Sequence, residues 1–487
     1  MKSLSKTPAV FPLKRGTAAA LTLLALAGCA VGPDYKRPAT ALPQAYQENQ
    51  ATAESTAPVE AQWWTLFQDA TLNDLVQQAL ANNTDMLTAV AKVEEADAVA
   101  RQAGAALFPE IDLDANGNHS RASQMANNQV TNPVTKDTKV GLSTSFELDV
   151  WGRLRRAKEN TLALSLASRY NQDTVKLSLA GLVTQYYLQL RALDAELAVT
   201  RDAIQTRETS LKITQAKLAR GLVSPIDEQQ AVGALAAAQV SQAQLVQQRA
   251  IAEHQLGVLT GKLELKLAAG DLRQLPLPPL PPAGLPSSLL ESRPDVRQAE
   301  ENLVAANAKI GAVKATLFPK LTLTAGIGSE SAALTNLFSS KAGTWALGLD
   351  ILQPLFDAGL RSAQVAQVTA QQKQTAAGYV ATLRTAFKEV NDALVTVRQT
   401  KEANTALETQ VQATRKVQQL ATVRYQAGYV AYLDVLDAQR TADDAAISYI
   451  TNRQAQLQAA VDLFKALGGG WKDELIAKSE ARPGKGS

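Results

Sequence analysis

The chain has a single cysteine among 487 residues, Cys29, so no disulfide can form within it. It has two histidines, His119 and His254, and neither lies beside a cysteine, which argues against a metal site. We find no nucleophile elbow, phosphate-binding loop or paired-carboxylate site, and therefore expect neither an enzyme nor a bound cofactor. Aromatic residues make up only 5% of the chain, and the abundance of Ala, Gln, Leu and Val favours long helices over a compact mixed core.

An excess of basic residues is also missing. The formal net charge is +3, but four basic residues, Lys2, Lys6, Lys14 and Arg15, lie in an N-terminal segment that has no acidic residue. Removing these four from the 49 leaves 45 basic residues against 46 acidic ones. A nearly neutral chain without a basic patch is a poor binder of nucleic acid, so we expect no nucleic-acid partner.

The N-terminus carries an export signal. A basic region precedes an apolar stretch, residues 18–27, that is too short to span a bilayer. It ends in LAGC, which resembles the bacterial lipobox, where the chain is cut before a cysteine that is then acylated. A lone cysteine can also be a small buried hydrophobe, but the place of Cys29 at the end of an export signal favours lipid attachment. We predict a signal peptide over residues 1–28. In enteric-type lipoproteins an aspartate after the acylated cysteine favours the inner membrane. Because residue 30 is Ala30, we predict a lipid anchor in the outer membrane.

The two halves of the chain repeat one another. AALFPEIDL, residues 105–113, matches ATLFPKLTL, residues 315–323, at an offset of 210. The segment GLVSPID, residues 221–227, parallels GYVAYLD, residues 428–434, at an offset of 207. Anchors in unchanged order at a nearly constant offset indicate an internal tandem duplication.

Each half contains two segments in which apolar and polar residues alternate. They predict strands over about residues 110–120, 139–150, 319–328 and 344–353. Segments of about 11 residues with one apolar face are typical of outer-membrane barrel strands. The alternative, an antiparallel sheet over a soluble core, agrees less well with a lipoprotein signal and with the lack of other strands.

Four strands cannot close a barrel and an open edge is not stable in lipid, so several copies of the chain must assemble into one barrel. Two, three or four copies would give eight, twelve or sixteen strands, and the strand count alone does not determine the number of copies.

Each half also contains a long helix that begins after a corner with an aromatic residue and a glycine. These corners are DVWGRLRRA, residues 149–157, and PLFDAGLRSA, residues 354–363. The first precedes a run of about 66 residues, or about 100 Å of helix at 1.5 Å per residue. Apolar residues at steps of three and four indicate lateral coiled-coil packing.

Each long helical run ends at a glycine turn, Gly221 or Gly428, and a second helix returns. Ser224 is predicted to cap the first returning helix, with Asp227 completing a capping box. Such a hairpin can cross most of a periplasm.

These features resemble the outer membrane factors, the TolC-like family, in its lipoprotein (NodT/OprM-like) branch. The resemblance is carried by CAVGPDYKRP from Cys29, QWWTLFQDATLNDLVQQAL from Gln62, SFELDVWGRLRRA from Ser145, SRPDVRQAEENLVAANAKIGAVKATLFPKLTLTAG from Ser292, PLFDAGLRSA from Pro354 and GYVAYLDVLDAQR from Gly428. It implies an α+β membrane protein: a homotrimer whose twelve-stranded outer-membrane β-barrel, with four strands per chain, continues into a long periplasmic α-helical barrel. It also implies two partners, a periplasmic adaptor (membrane fusion protein) and an inner-membrane pump, usually of the RND class.

Asp434 and Asp437 lie on one face in the first turns of the second returning helix. Interaction with the helix N-terminus, and an ion pair from Asp437 to Arg440, would explain them without a channel role. The resemblance implies instead that the aspartates of LDVLDA line a periplasmic gate, which Leu433 narrows. Three-fold symmetry would gather six carboxylates into a ring that attracts cations.

The resemblance also implies that both hairpin tips dock onto the adaptor. The glycines at these tips also have a simpler role, since they supply the left-handed backbone that ends a helix. The predicted docking residues are Arg220, Gly221, Leu222, Val223, Ser224, Ala427, Gly428, Tyr429 and Val430.

The expected domain order follows from these signals. A lipidated arm covers residues 29–62, the first repeat 63–274, a Pro-rich connector 275–286, the second repeat 287–470 and a polar tail 471–487. The function expected is a passive exit duct of an efflux system in the outer membrane, extending into the periplasm. Channels of type I protein secretion are an alternative, because cargo is usually chosen upstream. A structural periplasm-spanning lipoprotein would need the helices but not the alternating strands.

Overall fold

The computed structural model of the chain describes residues 30–39, 43, 46, 60–123, 125, 134–281 and 293–472. The predicted signal peptide and Cys29 lie outside these residues, as do parts of the predicted arm, connector and tail. The helices are α1 (Ala70–Asn82), α2 (Thr84–Ala105), α3 (Arg153–Leu218), α4 (Pro225–Thr260), α5 (Pro294–Ala315), α6 (Leu360–Gln426) and α7 (Tyr432–Ala466). The strands are β1 (Glu110–Arg121), β2 (Val134–Glu147), β3 (Lys320–Ser331) and β4 (Gly343–Leu352). In the described part of the chain, no helix is long and apolar enough to cross a membrane.

The lengths of these elements repeat between the two halves. Helices α2 and α5 each have 22 residues, and the long helices α3 and α6 have 66 and 67. The returning helices α4 and α7 have 36 and 35 residues. A helix, a pair of strands, a long helix and a returning helix therefore occur twice in the same order, as the predicted duplication requires.

The four strands form one antiparallel sheet in the order β1-β2-β3-β4. This sheet belongs to a compact unit formed by the described residues of Met1–Pro38, Glu94–Ala167 and Ala299–Gly378. One row of directly paired residues runs across all four strands as Leu113, Leu142, Ile327 and Trp345. The next row is Asp114, Gly141, Gly328 and Thr344. Since neighbouring residues of a strand point to opposite faces, the sheet has one apolar and one polar face.

The second strand differs from its predicted bounds. It was expected over about residues 139–150, but it begins at Val134 and ends at Glu147. The reason for the earlier end is that Asp149 serves the next helix: its carboxylate accepts hydrogen bonds from the backbone N–H groups of Leu154 and Arg155, each over 2.9 Å. These bonds satisfy donors that the first turn of a helix leaves without a helical partner. Asp149 and Val150 therefore lie in the corner and not in the strand.

A second compact unit is formed by the described residues of Ala39–Val93, Ser168–Gln298 and Tyr379–Ser487. Its hydrophobic core contains the short 3-10 helix Trp63–Phe67, where the ring of Trp63 stacks on Phe464 at 5.6 Å. Asp69 caps α1 by accepting a hydrogen bond from the N–H of Leu72 over 3.0 Å, and it also accepts one from the Tyr187 hydroxyl. Burial, together with the bond to Asp69, raises the pKa of Tyr187. Trp63, Tyr187 and Phe464 are thus packed together in this core.

Candidate functional site

The first hairpin tip is a tight turn between α3 and α4. Gly221 has a φ of +71°, in the left-handed region that disfavours a side chain. Its N–H donates to the carbonyl of Leu218 over 2.8 Å, and the N–H of Leu222 donates to the carbonyl of Lys217 over 3.0 Å. This pair of bonds is the Schellman motif, which satisfies the last carbonyl groups of a helix.

The second tip, between α6 and α7, has the same construction. Gly428 has a φ of +84° and donates to the carbonyl of Tyr425 over 3.0 Å. The N–H of Tyr429 donates to the carbonyl of Arg424 over 2.9 Å. Both glycines therefore end a helix in the way the sequence predicts.

The two tips present matching exposed side chains. Leu222 is 67% exposed and Tyr429 78%, while Ile226 is 66% exposed and Leu433 59%. The members of each pair are 207 residues apart, which is the offset of the duplication in this region. The predicted docking residues are exposed at both tips, apart from the half-buried Val223 and Val430. Large apolar side chains that remain this exposed are typical of surfaces that a partner covers.

The returning helices are capped differently. Ser224 accepts a hydrogen bond from the N–H of Ile226 over 3.2 Å, and Asp227 accepts one from the N–H of Ser224 over 3.1 Å, which confirms the predicted capping box. At the second tip Ala431 replaces the serine and has no acceptor in its side chain. Only the acidic half of the box remains there, in which Asp434 accepts from the N–H of Ala431 over 3.2 Å.

Asp434 and Asp437 are both exposed on the described chain. Asp437 accepts a hydrogen bond from Arg440 over 3.0 Å, and both of these side chains are largely exposed. The helix cap at Asp434 and the Asp437–Arg440 ion pair therefore both form. Both carboxylates nevertheless remain exposed. Asp434 and Asp437 line the same cavity of about 620 Å³ between α6 and α7, which also has Val417 and Leu420 in its wall.

A buried cluster joins the ends of α3 and α6 just above the tips. The hydroxyl of Tyr425 lies 3.2 Å from that of Thr214, and the ammonium of Lys217 lies 4.2 Å from the centre of the Tyr425 ring. Lys217 also donates to the carbonyl of Tyr425. The ring of Tyr432 packs on Tyr425 at 5.5 Å, and burial raises the pKa of the Tyr432 hydroxyl. These contacts hold the two glycine turns beside one another.

An ion pair further along the helices also joins α3 to α7. Arg207 donates to Asp443 over 2.7 Å, and both side chains are mostly buried. Burial raises the pKa of Asp443 to about 6, and the neighbouring Asp444 and Asp202 act in the same direction, while Arg207 opposes the shift. The carboxyl group of Asp443 therefore takes up a proton at a higher pH than an ordinary aspartate does.

Sequence reasoning did not identify Tyr425, Lys217 or the Arg207–Asp443 pair. Their partners are more than 200 residues away in the chain, so no local pattern connects them. One usable signal existed: aromatic residues are scarce at 5% of the chain, yet three tyrosines fall within the eight residues from Tyr425 to Tyr432.

A sheet with one apolar face, present together with duplicated long helical hairpins, defines a subunit of a channel in the outer membrane. The comparisons with known proteins agree with this class. The chain matches the outer membrane efflux protein family twice, over residues 75–262 and 285–469, and it belongs to that family. One match falls in each half of the chain. The protein is thus an outer-membrane channel component of an efflux system that extends into the periplasm, and not an enzyme.

Individual relatives share nearly the whole length of the chain. The antibiotic efflux pump outer membrane protein ArpC of Pseudomonas putida is 34% identical over 469 residues, which is 93% of this chain and 95% of ArpC. The cation efflux system protein CusC of Escherichia coli is 32% identical, over 92% of this chain and 97% of CusC. Among solved structures, the outer-membrane channel OprN has a TM-score of 0.85 at 29% identity, over 91% of this chain and 100% of the OprN chain.

Proposed function

We propose that three copies of this chain form the exit duct of a tripartite efflux system. In this proposal the hairpin tips dock onto a periplasmic adaptor, and an inner-membrane pump of the RND class supplies the cargo. The observation that carries the proposal is the pair of identical Schellman turns, each presenting a matched set of exposed apolar side chains. These exposed side chains support a partner at the tips, because burying apolar surface against a second protein lowers the free energy of the system.

The sheet supports assembly of several copies. Within the described residues, β1 pairs only with β2 and β4 pairs only with β3. Lipid cannot satisfy the backbone groups of these two edges, so another copy must do so. Four strands per copy allow several closed barrels, and the likeness to the outer membrane factors favours three copies with twelve strands.

We propose that Leu433, Asp434 and Asp437 form the periplasmic gate of this duct. The supporting observation is that all three side chains are exposed on one chain, next to the tip, where three hairpins can converge. A long open tube would leak, so the duct needs a constriction, and the tips are a suitable place for it. Carboxylates gathered there would attract cations.

The docking proposal is tested with Leu222→Asp. A charged side chain at this exposed position cannot be buried in an apolar interface without a large desolvation cost. The matched control is Leu263→Asp, which changes an equally exposed leucine outside the predicted docking residues. Both variants are expressed together with a periplasmic adaptor and an inner-membrane pump that support efflux through the wild-type chain, and efflux is followed as accumulation of a fluorescent dye.

We expect Leu222→Asp to assemble as the wild type does and to lose efflux and adaptor co-purification, while Leu263→Asp retains both. Native electrophoresis reports the assembly. A Leu222→Asp variant that assembles, binds adaptor and exports dye at the wild-type rate would show that this tip is not a docking surface.

A further inference from the structure

The two repeats of the chain are joined by an aromatic contact next to the sheet. Trp151 stacks on Phe318 with ring centres 4.8 Å apart and planes inclined by 23°. The indole N–H of Trp151 also donates to the carbonyl of Pro319 over 2.8 Å. Trp151 follows β2 and Phe318 precedes β3, so this contact closes the seam between a strand of the first repeat and a strand of the second. Stacked aromatic pairs of this kind stabilise beyond the area they bury.

Duplication gives each of these two rings a counterpart. Phe318 lies in ATLFPKLTL, and the matching segment AALFPEIDL places Phe108 at the same position before β1. Trp151 is the aromatic residue of the corner after β2, and Phe356 is the aromatic residue of the corner after β4. Within one chain these counterparts are left exposed, Phe356 by 90% and Phe108 by 73%. They flank β4 and β1, the two edges of the sheet.

We propose that Phe356 of one copy packs against Phe108 of the next copy, at the seam where β4 of the first copy pairs with β1 of the second. The interaction surface is thus a repetition, between copies, of the Trp151–Phe318 contact within the chain. This inference deepens the proposed function and rests on its assembly of several copies.

The geometry of the sheet is compatible with this seam. Successive strands are antiparallel, so β4 runs opposite to β1 and can continue the same ladder with the next copy. Shifting β2 by the 205 residues that separate Trp151 from Phe356 places Leu142 on Leu347 and Val140 on Trp345. All four belong to the apolar face, so the correspondence keeps the faces of the sheet in order.

The ion pair of the inner seam is not repeated. Glu147 lies 3.4 Å from Lys320 at the end of β2, but the counterparts of these residues are Leu352 and Glu110. Of these contacts at the seam between β2 and β3, the aromatic pair is therefore the one that has aromatic counterparts at the edges β4 and β1. Leu355, also highly exposed, adds apolar surface beside Phe356.

The proposal is tested by cross-linking in outer membranes that contain the full-length chain. Phe356→Cys and Phe108→Cys are combined, and a short bis-methanethiosulfonate reagent is added before denaturing electrophoresis. We expect covalent dimers and trimers from the double variant and neither from the single variants. Trp151→Cys with Phe318→Cys is the positive control and should link within one chain without a gain in mass. Phe338→Cys with Phe108→Cys is the negative control, because Phe338 is equally exposed but lies at the opposite end of the strands.

A second measurement needs only one conservative change. Phe356 is replaced by the photoreactive aromatic p-benzoyl-phenylalanine, and after illumination the linked peptide is identified by mass spectrometry. The proposal requires the peptide that contains Phe108. If the copies assemble and the positive control links, but neither method joins position 356 to position 108, the seam is wrong while the proposed duct stands. If the wild-type chain does not assemble at all, the proposed duct fails with it.

Discussion

Arg249 donates from its Nε to the carboxylate of Asp194 over 2.6 Å, and the Asp194 side chain is only 2% exposed. The same carboxylate accepts a hydrogen bond from the N–H of Gly270 over 3.0 Å. Arg249 in turn donates to the carbonyl of Leu267 over 2.8 Å. The buried pair therefore holds the segment after α4 against α3 and α4.

We predict that Arg249→Ala lowers the free energy of unfolding by about 1.5–3 kcal/mol, because it removes a charge-assisted hydrogen bond from the buried carboxylate of Asp194, which keeps only Arg191, at 3.2 Å, as a charged partner. The control is Lys388→Ala. Lys388 pairs with Asp392, and both side chains are largely exposed, at 72% and 59%, so water screens this pair and its loss should change the free energy of unfolding much less. Chemical denaturation followed by circular dichroism measures both. Equal effects of the two substitutions would contradict the structural role of the buried pair.

The Arg207–Asp443 pair predicts a dependence of stability on pH. Burial raises the pKa of Asp443 from its ordinary value of 3.8 to about 6 in the folded protein. Between these values Asp443 holds a proton in the folded chain that it has lost in the unfolded chain. The contribution of Asp443 to the free energy of unfolding therefore falls as the pH rises from about 4 to about 6. The whole change is at most about 3 kcal/mol, since one pKa unit corresponds to about 1.4 kcal/mol.

The variant Asp443→Asn keeps the size of the side chain and removes its titration. We expect the unfolding free energy of the wild type to decrease between about pH 4 and about pH 6 by more than that of the variant. Subtracting the two curves removes the contributions of other groups with a raised pKa, such as Glu196 and Asp462. Parallel curves for the two proteins would show that Asp443 does not titrate in this range.

Much of the fold followed from local patterns. Alternation placed the strands and their faces, and a glycine at the end of each long helical run placed both tips, because these signals depend on residues close together in the chain. The pairing of β2 with β3 joins strands of different repeats, and alternation carries no information on which strand lies beside which. The end of β2 was misplaced because Asp149 continues the alternating pattern, while its carboxylate is used by the helix that follows.

The candidate site was predictable to a smaller extent. The turns and the capping box at Ser224 were identified, since each has a known local signature. The contact of Tyr425 with Lys217 was not, because it depends on how two long helices lie side by side. The exposure of Ile226 could have been inferred from the duplication, as the position that matches Leu433.

Lipid attachment at Cys29 is a prediction from the sequence signal alone. We expect the mature chain to begin at Cys29 and to carry acyl groups, which mass spectrometry of the N-terminal peptide detects. Cys29→Ser should abolish the modification, because serine lacks the thiol on which the diacylglyceryl group is placed. Efflux should be retained in part, since the barrel inserts independently of the anchor. An unmodified cysteine in the wild type would refute the assignment.

The gate is tested by comparing the two tips of the same chain. Asp434 and Asp227 occupy matching positions and each accepts a backbone hydrogen bond at the start of a returning helix, over 3.2 Å and 3.1 Å. If Asp434 only caps its helix, then Asp434→Ala and Asp227→Ala should have similar small effects, of about 0.5–2 kcal/mol on stability. If Asp434 and Asp437 line the pore, their joint replacement by alanine should also weaken cation selectivity and block by divalent ions, whereas Asp227→Ala should not.

Leu433 and Ile226 extend this comparison to the width of the constriction. Both side chains are largely exposed and follow their glycine turns at the same distance. Adding Leu433→Ala to the Asp434→Ala and Asp437→Ala changes should raise single-channel conductance in a planar bilayer, because it removes the apolar side chains that narrow the gate. Ile226→Ala removes a similar side chain at the other tip and should leave conductance unchanged. A triple variant with wild-type conductance and selectivity would place Leu433, Asp434 and Asp437 outside the pore, and the exposed face of α7 would then be a surface for assembly or docking.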